Sequence, residues 1–172
     1  MGIGLIIVHL IGKAFSYEIP FYFYPIGAFL SLLPDVDFIW AVLKRETGAG
    51  HRTHRRIPHY PIVMIGLLWL VLGISSIFWP ILVRWALIGT LCLLGHYIHD
   101  SLGLKLGIPW LAPWKDMFFM IWPPAVLTKE EVDNKNLIDS REWVVKTFLH
   151  PTPEAVSNAS IFFGALFLVW LW

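Results

Sequence analysis

The stretch PIVMIGLLWLVLGISSIFWPILV, residues 61–83, carries no charged side chain. A run that long and apolar meets the ~20 residues a helix needs to cross the hydrocarbon of a bilayer. Pro80 and Arg84 predict a turn near Trp79, since proline lacks an amide proton and clashes with the preceding helical turn. A second helix over about 81–100 then returns to the starting side and ends in the polar GHYIHD, residues 95–100. This helical hairpin sets the frame for the rest of the chain.

Working outward, residues 3–16 and 21–33 read as two short apolar helices, the second stopped by Pro34. The first lacks a basic leader and a small-residue cleavage site, so it reads as a retained helix. Residues 104–126 are apolar but broken by Pro109, Pro113, Pro123 and Pro124, a pattern that predicts a re-entrant or interfacial segment. The most polar stretch is 128–157, part of it an amphipathic helix at the membrane surface. SIFFGALFLVWLW closes the chain as a membrane helix.

Of the 172 residues, 57% are hydrophobic and 15% charged, too few polar groups to coat a soluble core of this size. The expected class is an all-α integral membrane bundle of about four to six helices, some short or re-entrant. Its expected organisation is a membrane-embedded helical domain over 1–126, a polar cytoplasmic or interfacial segment over 127–157, and a C-terminal membrane helix over 158–172. A net charge of +1 gives no field directed at nucleic acid. Cys92 is the single cysteine, which excludes an internal disulfide and a cysteine-based zinc site. Lys44, Arg45, Arg52, Arg55 and Arg56 crowd one loop, which the positive-inside tendency places in the cytoplasm. GHYIHD, one helical hairpin further on, returns to that same face.

Six of the seven histidines, His9, His51, His54, His59, His96 and His99, fall in the first hundred residues with Asp35, Asp37 and Asp100. Ionisable groups near lipid are costly unless paired or coordinated. Imidazole and carboxylate together suit Zn, Mn or Fe. His96 and Asp100 are four apart and share a helix face, with His99 close by. His54 and His59 come from a loop broken by Pro58 and Pro61, and the PDVD of residues 34–37 presents Asp35 and Asp37 on extended backbone after a helix end. His9 comes from a helix interior. Taken singly, each has a structural reading: a hydrogen-bonded core histidine, a helix stop, a headgroup anchor. Converging from four segments, they read as a metal site in a helical bundle.

In this order the motifs resemble the membrane-bound metal-dependent hydrolases, inner-membrane proteins distantly similar to zinc-dependent phospholipase C. His9 matches the first histidine of that pattern and Pro34-Asp35-Val36-Asp37 its PDxD. His54-Arg55-Arg56-Ile57-Pro58-His59 matches its H-R-x-x-T-H, with Pro58 in place of Thr. His96-Tyr97-Ile98-His99-Asp100 matches its H-x-x-x-D, and Gly107 to Trp114 its Gly/Pro-rich aromatic stretch. The likeness covers about residues 1–115, and His51 and His99 are additional to it.

The reading that follows has one or two divalent ions, zinc first, held by Asp35, His59, His96 and Asp100 with His9 and His54. Asp37 or Asp100 would accept a proton. Arg55, with Arg52 and Arg56, would bind a phosphate. The expected activity is hydrolysis of a phosphoester on a phospholipid or lipid-linked headgroup, at a site in the inner membrane facing the cytoplasm. Two other classes remain open: a metal-ion or proton transporter, and a non-catalytic membrane scaffold. Inverted repeats would favour transport, and none is seen.

Overall fold

A computed structural model describes residues 2–16, 18–36, 57–102, 107–122, 124–135 and 153–171. The chain is mostly helical. Helix α1 (Gly2–Ala14) leads to α2 (Phe23–Leu30), which runs into a 3-10 turn at Leu33–Asp35. A second 3-10 turn, Ile57–His59, precedes α3 (Pro61–Leu68), which widens into a π-helical turn over Trp69–Gly73. Helix α4 (Ile81–Ser101) follows, then strands β1 (Met117–Met120) and β2 (Ala125–Thr128), α5 (Lys129–Lys135) and α6 (Pro153–Leu171).

The uncharged run 61–83 is therefore not one span. Pro80 stands just ahead of α4 and its ring excludes a helix through Ser76. The first part, Pro61 to Gly73, is ~20 Å long at 1.5 Å per residue, short of the ~30 Å of hydrocarbon. Pro61 occupies its first turn, where the missing amide costs nothing. Helix α4, with 21 residues, is the one described helix long and apolar enough to cross a membrane.

Two other expectations are corrected. The class is not purely helical, because the stretch foreseen as re-entrant carries an antiparallel β1–β2 pair, registered Phe118 to Leu127 and Phe119 to Val126. Its prolines disfavour a helix, and Gly107 precedes an Ile108 that bridges to Phe119 on the edge of that pair. Gly107 has φ +70, and a Cβ there would strike the Phe119 carbonyl; beside it Ile108 N–H donates to that carbonyl at 3.1 Å. The C-terminal helix starts at Pro153, earlier than 158.

Helix α1 is the hub, packed on α2, α4 and α6. Val8, Phe23, Ile88 and Cys92 form one buried cluster, and Leu5, Ala28 and Ala165 another. Gly4 and Gly27 let α1 and α2 touch backbone to backbone, since a Cβ on Gly4 would overlap the Gly27 carbonyl. Cys92 is fully buried, as an inert core thiol should be. Large apolar side chains stay exposed around the outside, among them Phe21, Trp79, Phe163 and Trp170.

Candidate metal centre

Three segments deliver four ligand side chains to one point. Pro34 initiates the tight turn carrying Asp35, whose N–H donates to the Leu32 carbonyl at 2.9 Å. The backbone there is a 3-10 turn and not the extended strand foreseen from PDVD. Pro58 initiates the second turn, which carries His59. Helix α4 contributes His96 and Asp100 from one face, four residues apart. Asp35, His59, His96 and Asp100 each offer a ligand atom within 4.8 Å of all the others.

The spacings inside the quartet decide its chemistry. His59 Nε2 stands 3.5 Å from Asp35 Oδ1 and 3.6 Å from Asp100 Oδ2. His96 Nε2 stands 3.8 Å and 3.4 Å from the same two oxygens. Direct hydrogen bonds of this kind would sit near 2.7–3.2 Å. The four atoms are instead held apart around a shared centre. With metal–ligand bonds of ~2.0–2.2 Å, the edge of a ligand tetrahedron is ~3.3–3.6 Å. His96 Nε2 is buried and makes no hydrogen bond among the described residues, a costly state for a polar atom unless something occupies its lone pair. Two imidazole nitrogens and two carboxylate oxygens are donors that fit Zn, Mn or Fe.

The environment is closed on one side. His59 is fully buried, and His96 and Asp100 are nearly so. The Asp35 side chain is 37% exposed and gives the centre its opening to solvent. Burial alone would push the His59 imidazole down, but Asp100 and Asp35 outweigh it, and its pKa is raised. Burial would likewise push the Asp35 carboxyl up; His59 and His96 overcome it and hold it below the ordinary value.

Supporting contacts come from residues that motif reading passed over. The Tyr97 hydroxyl donates to the Pro58 carbonyl at 2.8 Å, so the proline at this position supplies an acceptor that pins the His59 turn to α4. Tyr97 itself is fully buried, edge-on to His96 and Trp110. Ser101, next to Asp100, receives Trp110 Nε1 at 3.0 Å and passes its own hydroxyl to the Tyr97 carbonyl. Asp100 is shared: Oδ2 faces the quartet, while Oδ1 lies 3.5 Å from His99 Nδ1. An aromatic at 97 inside H-x-x-x-D was visible in sequence, yet its partner 39 residues away was not.

His9, foreseen as a ligand, does not join the quartet. Its Nδ1 meets the Tyr24 hydroxyl at 3.4 Å, and it lines a cleft of about 270 Å³ with Ile6, Leu10, Lys13, Ala165, Leu168 and Val169. His54, Asp37 and Arg55 lie outside the described residues, as do His51, Arg52 and Arg56.

A family model then matches the whole chain, residues 1–172. The chain belongs to the YdjM inner membrane protein family. It is accordingly a protein of the inner membrane. No curated protein and no solved structure matches it.

Proposed function

We propose that this inner-membrane protein is a metal-dependent hydrolase, with one divalent ion, zinc first, held by Asp35, His59, His96 and Asp100. The observation that carries the reading is the set of four nitrogen–oxygen separations of 3.4–3.8 Å about a common centre. A bound ion with room for a further ligand beside these four would supply Lewis acidity that makes water a nucleophile near neutral pH. The chain's own groups do the rest. His59, His96 and Asp100 close the buried side and exclude bulk water. Asp35, on the open side, would take the proton from the water on the carboxylate oxygen not turned to the quartet, in place of the Asp37 or Asp100 expected from sequence. Arg55, with its neighbours Arg52 and Arg56, is assigned the phosphate. The substrate class is a phosphoester on a phospholipid or lipid-linked headgroup, reached from the cytoplasmic face that the basic loop marks.

The position of the quartet along α4 favours hydrolysis over transport. From the midpoint of Ile81–Ser101, His96 lies ~7 Å and Asp100 ~13 Å toward one end at 1.5 Å per residue. Transport sites gather near the bilayer midplane.

The test is metal content of detergent-purified protein, wild type beside the His96→Ala/Asp100→Ala double variant, followed by a phosphodiester and phosphomonoester screen of the loaded protein. The expected result is about one equivalent of metal, lost in the variant while the helical signal is kept. Wild-type protein that carries no metal and takes none up would end the hydrolase reading. Metal without hydrolysis, together with uptake into vesicles, would move it to transport.

A further inference from the structure

The hairpin after α4 has a second role. It is fastened to the end of that helix one residue beyond Asp100. Ile121 N–H donates to the Ser101 carbonyl at 2.8 Å, Trp110 Nε1 donates to the Ser101 hydroxyl at 3.0 Å, and Leu102 bridges to Trp122. The hairpin is thus tied to the helix that carries His96 and Asp100. Its inner side is packed: Phe118 is buried against Val132 and Leu127. At either end of β1, Trp114 is 74% exposed and Trp122 71%, and Leu111, Ile121 and Val126 are exposed as well.

Two nearly bare indoles are expensive in water. Each carries roughly 150–250 Å² of largely apolar surface with a polar N–H at its edge, the combination favoured where lipid headgroups meet hydrocarbon. The opposite end of α4 shows the same feature: Ile77, Phe78 and Trp79 are 76%, 73% and 62% exposed. The span is thereby bracketed by aromatic side chains at both ends. Lys115, Asp116, Lys129, Glu130 and Glu131 are all exposed on the hairpin side, Asp116 paired to Lys129 at 3.5 Å, a mixed set with no positive excess, so the indoles and not charge recommend lipid as the neighbour.

We propose that residues 107–122 and the β1–β2 hairpin form a platform seated in the lipid headgroup layer, holding the quartet at headgroup depth. The occupant of this surface is the bilayer itself. A consequence, which rests on the hydrolase reading, is that the bond cleaved is carried by a lipid and not by a soluble phosphoester. The seating does not depend on that reading, and its test needs no activity.

Cys92, the single cysteine, is replaced by Ser, and a fluorophore is placed at Trp114→Cys, Trp122→Cys or, as a control on α5, Glu130→Cys. Each protein is reconstituted into vesicles of phosphatidylethanolamine and phosphatidylglycerol. Quenchers are carried in the lipid near the headgroup, deep in the acyl chain, or dissolved as iodide. The labels at 114 and 122 should lose the iodide quenching that the label at 130 retains, and should respond to the shallow lipid quencher more than to the deep one. Iodide reaching 114 and 122 as freely as 130 overturns the proposal. Shielding that vanishes on dilution of protein in lipid overturns it too, because a second copy would then be the cover. Should a cysteine variant misfold, quenching of intrinsic tryptophan by lipids brominated near the headgroup gives the same answer. The Trp114→Phe/Trp122→Phe protein should lose part of that quenching, and an unchanged signal refutes the seating.

Discussion

Replacing Tyr97 with Phe removes one oxygen and leaves the ring in place among His96, His59 and Trp110. The oxygen lost is the donor to the Pro58 carbonyl at 2.8 Å, the described side-chain bond joining the His59 turn to α4. A hydrogen bond of this kind contributes about 0.5–1.5 kcal/mol net, and a partly buried carbonyl left without its donor raises the cost to about 1–3 kcal/mol. His59 is the next residue, and its Nε2 sits between both carboxylates. If about 1 kcal/mol of that cost falls on holding His59 in place, zinc binds roughly fivefold more weakly, and at 1.4 kcal/mol about tenfold. The assay is zinc affinity by competition with a chromophoric chelator, read beside thermal unfolding of the metal-free protein. Tyr97→Phe should weaken zinc by about five- to tenfold with a modest loss of stability. An unchanged affinity in a folded protein would refute the reasoning. The turn would then be held by its own backbone, through Tyr60 N–H to the Ile57 carbonyl, and the hydroxyl would be satisfied without orienting the ligand.

Asp100 has a longer contact of its own behind it, His99 Nδ1 at 3.5 Å from Oδ1, whose charge can orient the carboxylate although the distance is long for a hydrogen bond. His99→Ala is expected to weaken zinc by about tenfold, while His99→Asn, whose amide nitrogen stands where Nδ1 does, restores most of it; equal affinity in all three proteins would remove His99 from the site. Zinc affinity should also fall with pH. The two carboxylates raise the pKa of His59 above 6.5, so a proton must leave before zinc binds, and affinity drops about tenfold per pH unit for each proton displaced. Without metal the dependence reverses on the alkaline side. The raised His59 contributes stability that is full below 6.5 and lost as pH rises through its folded value. The lowered Asp35 contributes stability present above 3.8 and lost as pH falls through its folded value. Chelated protein should therefore be firmest between these limits and loaded protein firmer above them; parallel melting curves across pH would contradict this.

Much of the fold was open to a reader of the sequence. The helices α1, α2 and α4 fall within a few residues of the runs that predicted them, because a predominantly apolar stretch has few alternatives to a helix in lipid. The π-turn at Trp69–Gly73 was not foreseeable, since it leaves the hydrophobic pattern unchanged. The hairpin was missed for a different reason. MFFM and AVLT are too short and too uniformly apolar to show alternation, and the bridge from Ile108 to Phe119 alongside them follows a Gly107 with positive φ. Prolines announced that 104–126 would not be a helix but not what it would become.

The sequence by itself determined which chemical groups were on offer. Imidazoles and carboxylates cannot be left idle near a bilayer, and the four-residue spacing of His96 and Asp100 fixes their common face wherever a helix forms. Tertiary structure decided membership. Distance in space between Asp35, His59 and α4 depends on how two 3-10 turns pack against that helix, which no local spacing encodes. The same packing set His9 against Tyr24 and not in the quartet. It also gave Pro58 a partner in Tyr97, since a carbonyl is present at every residue and acquires a role only from what folds against it.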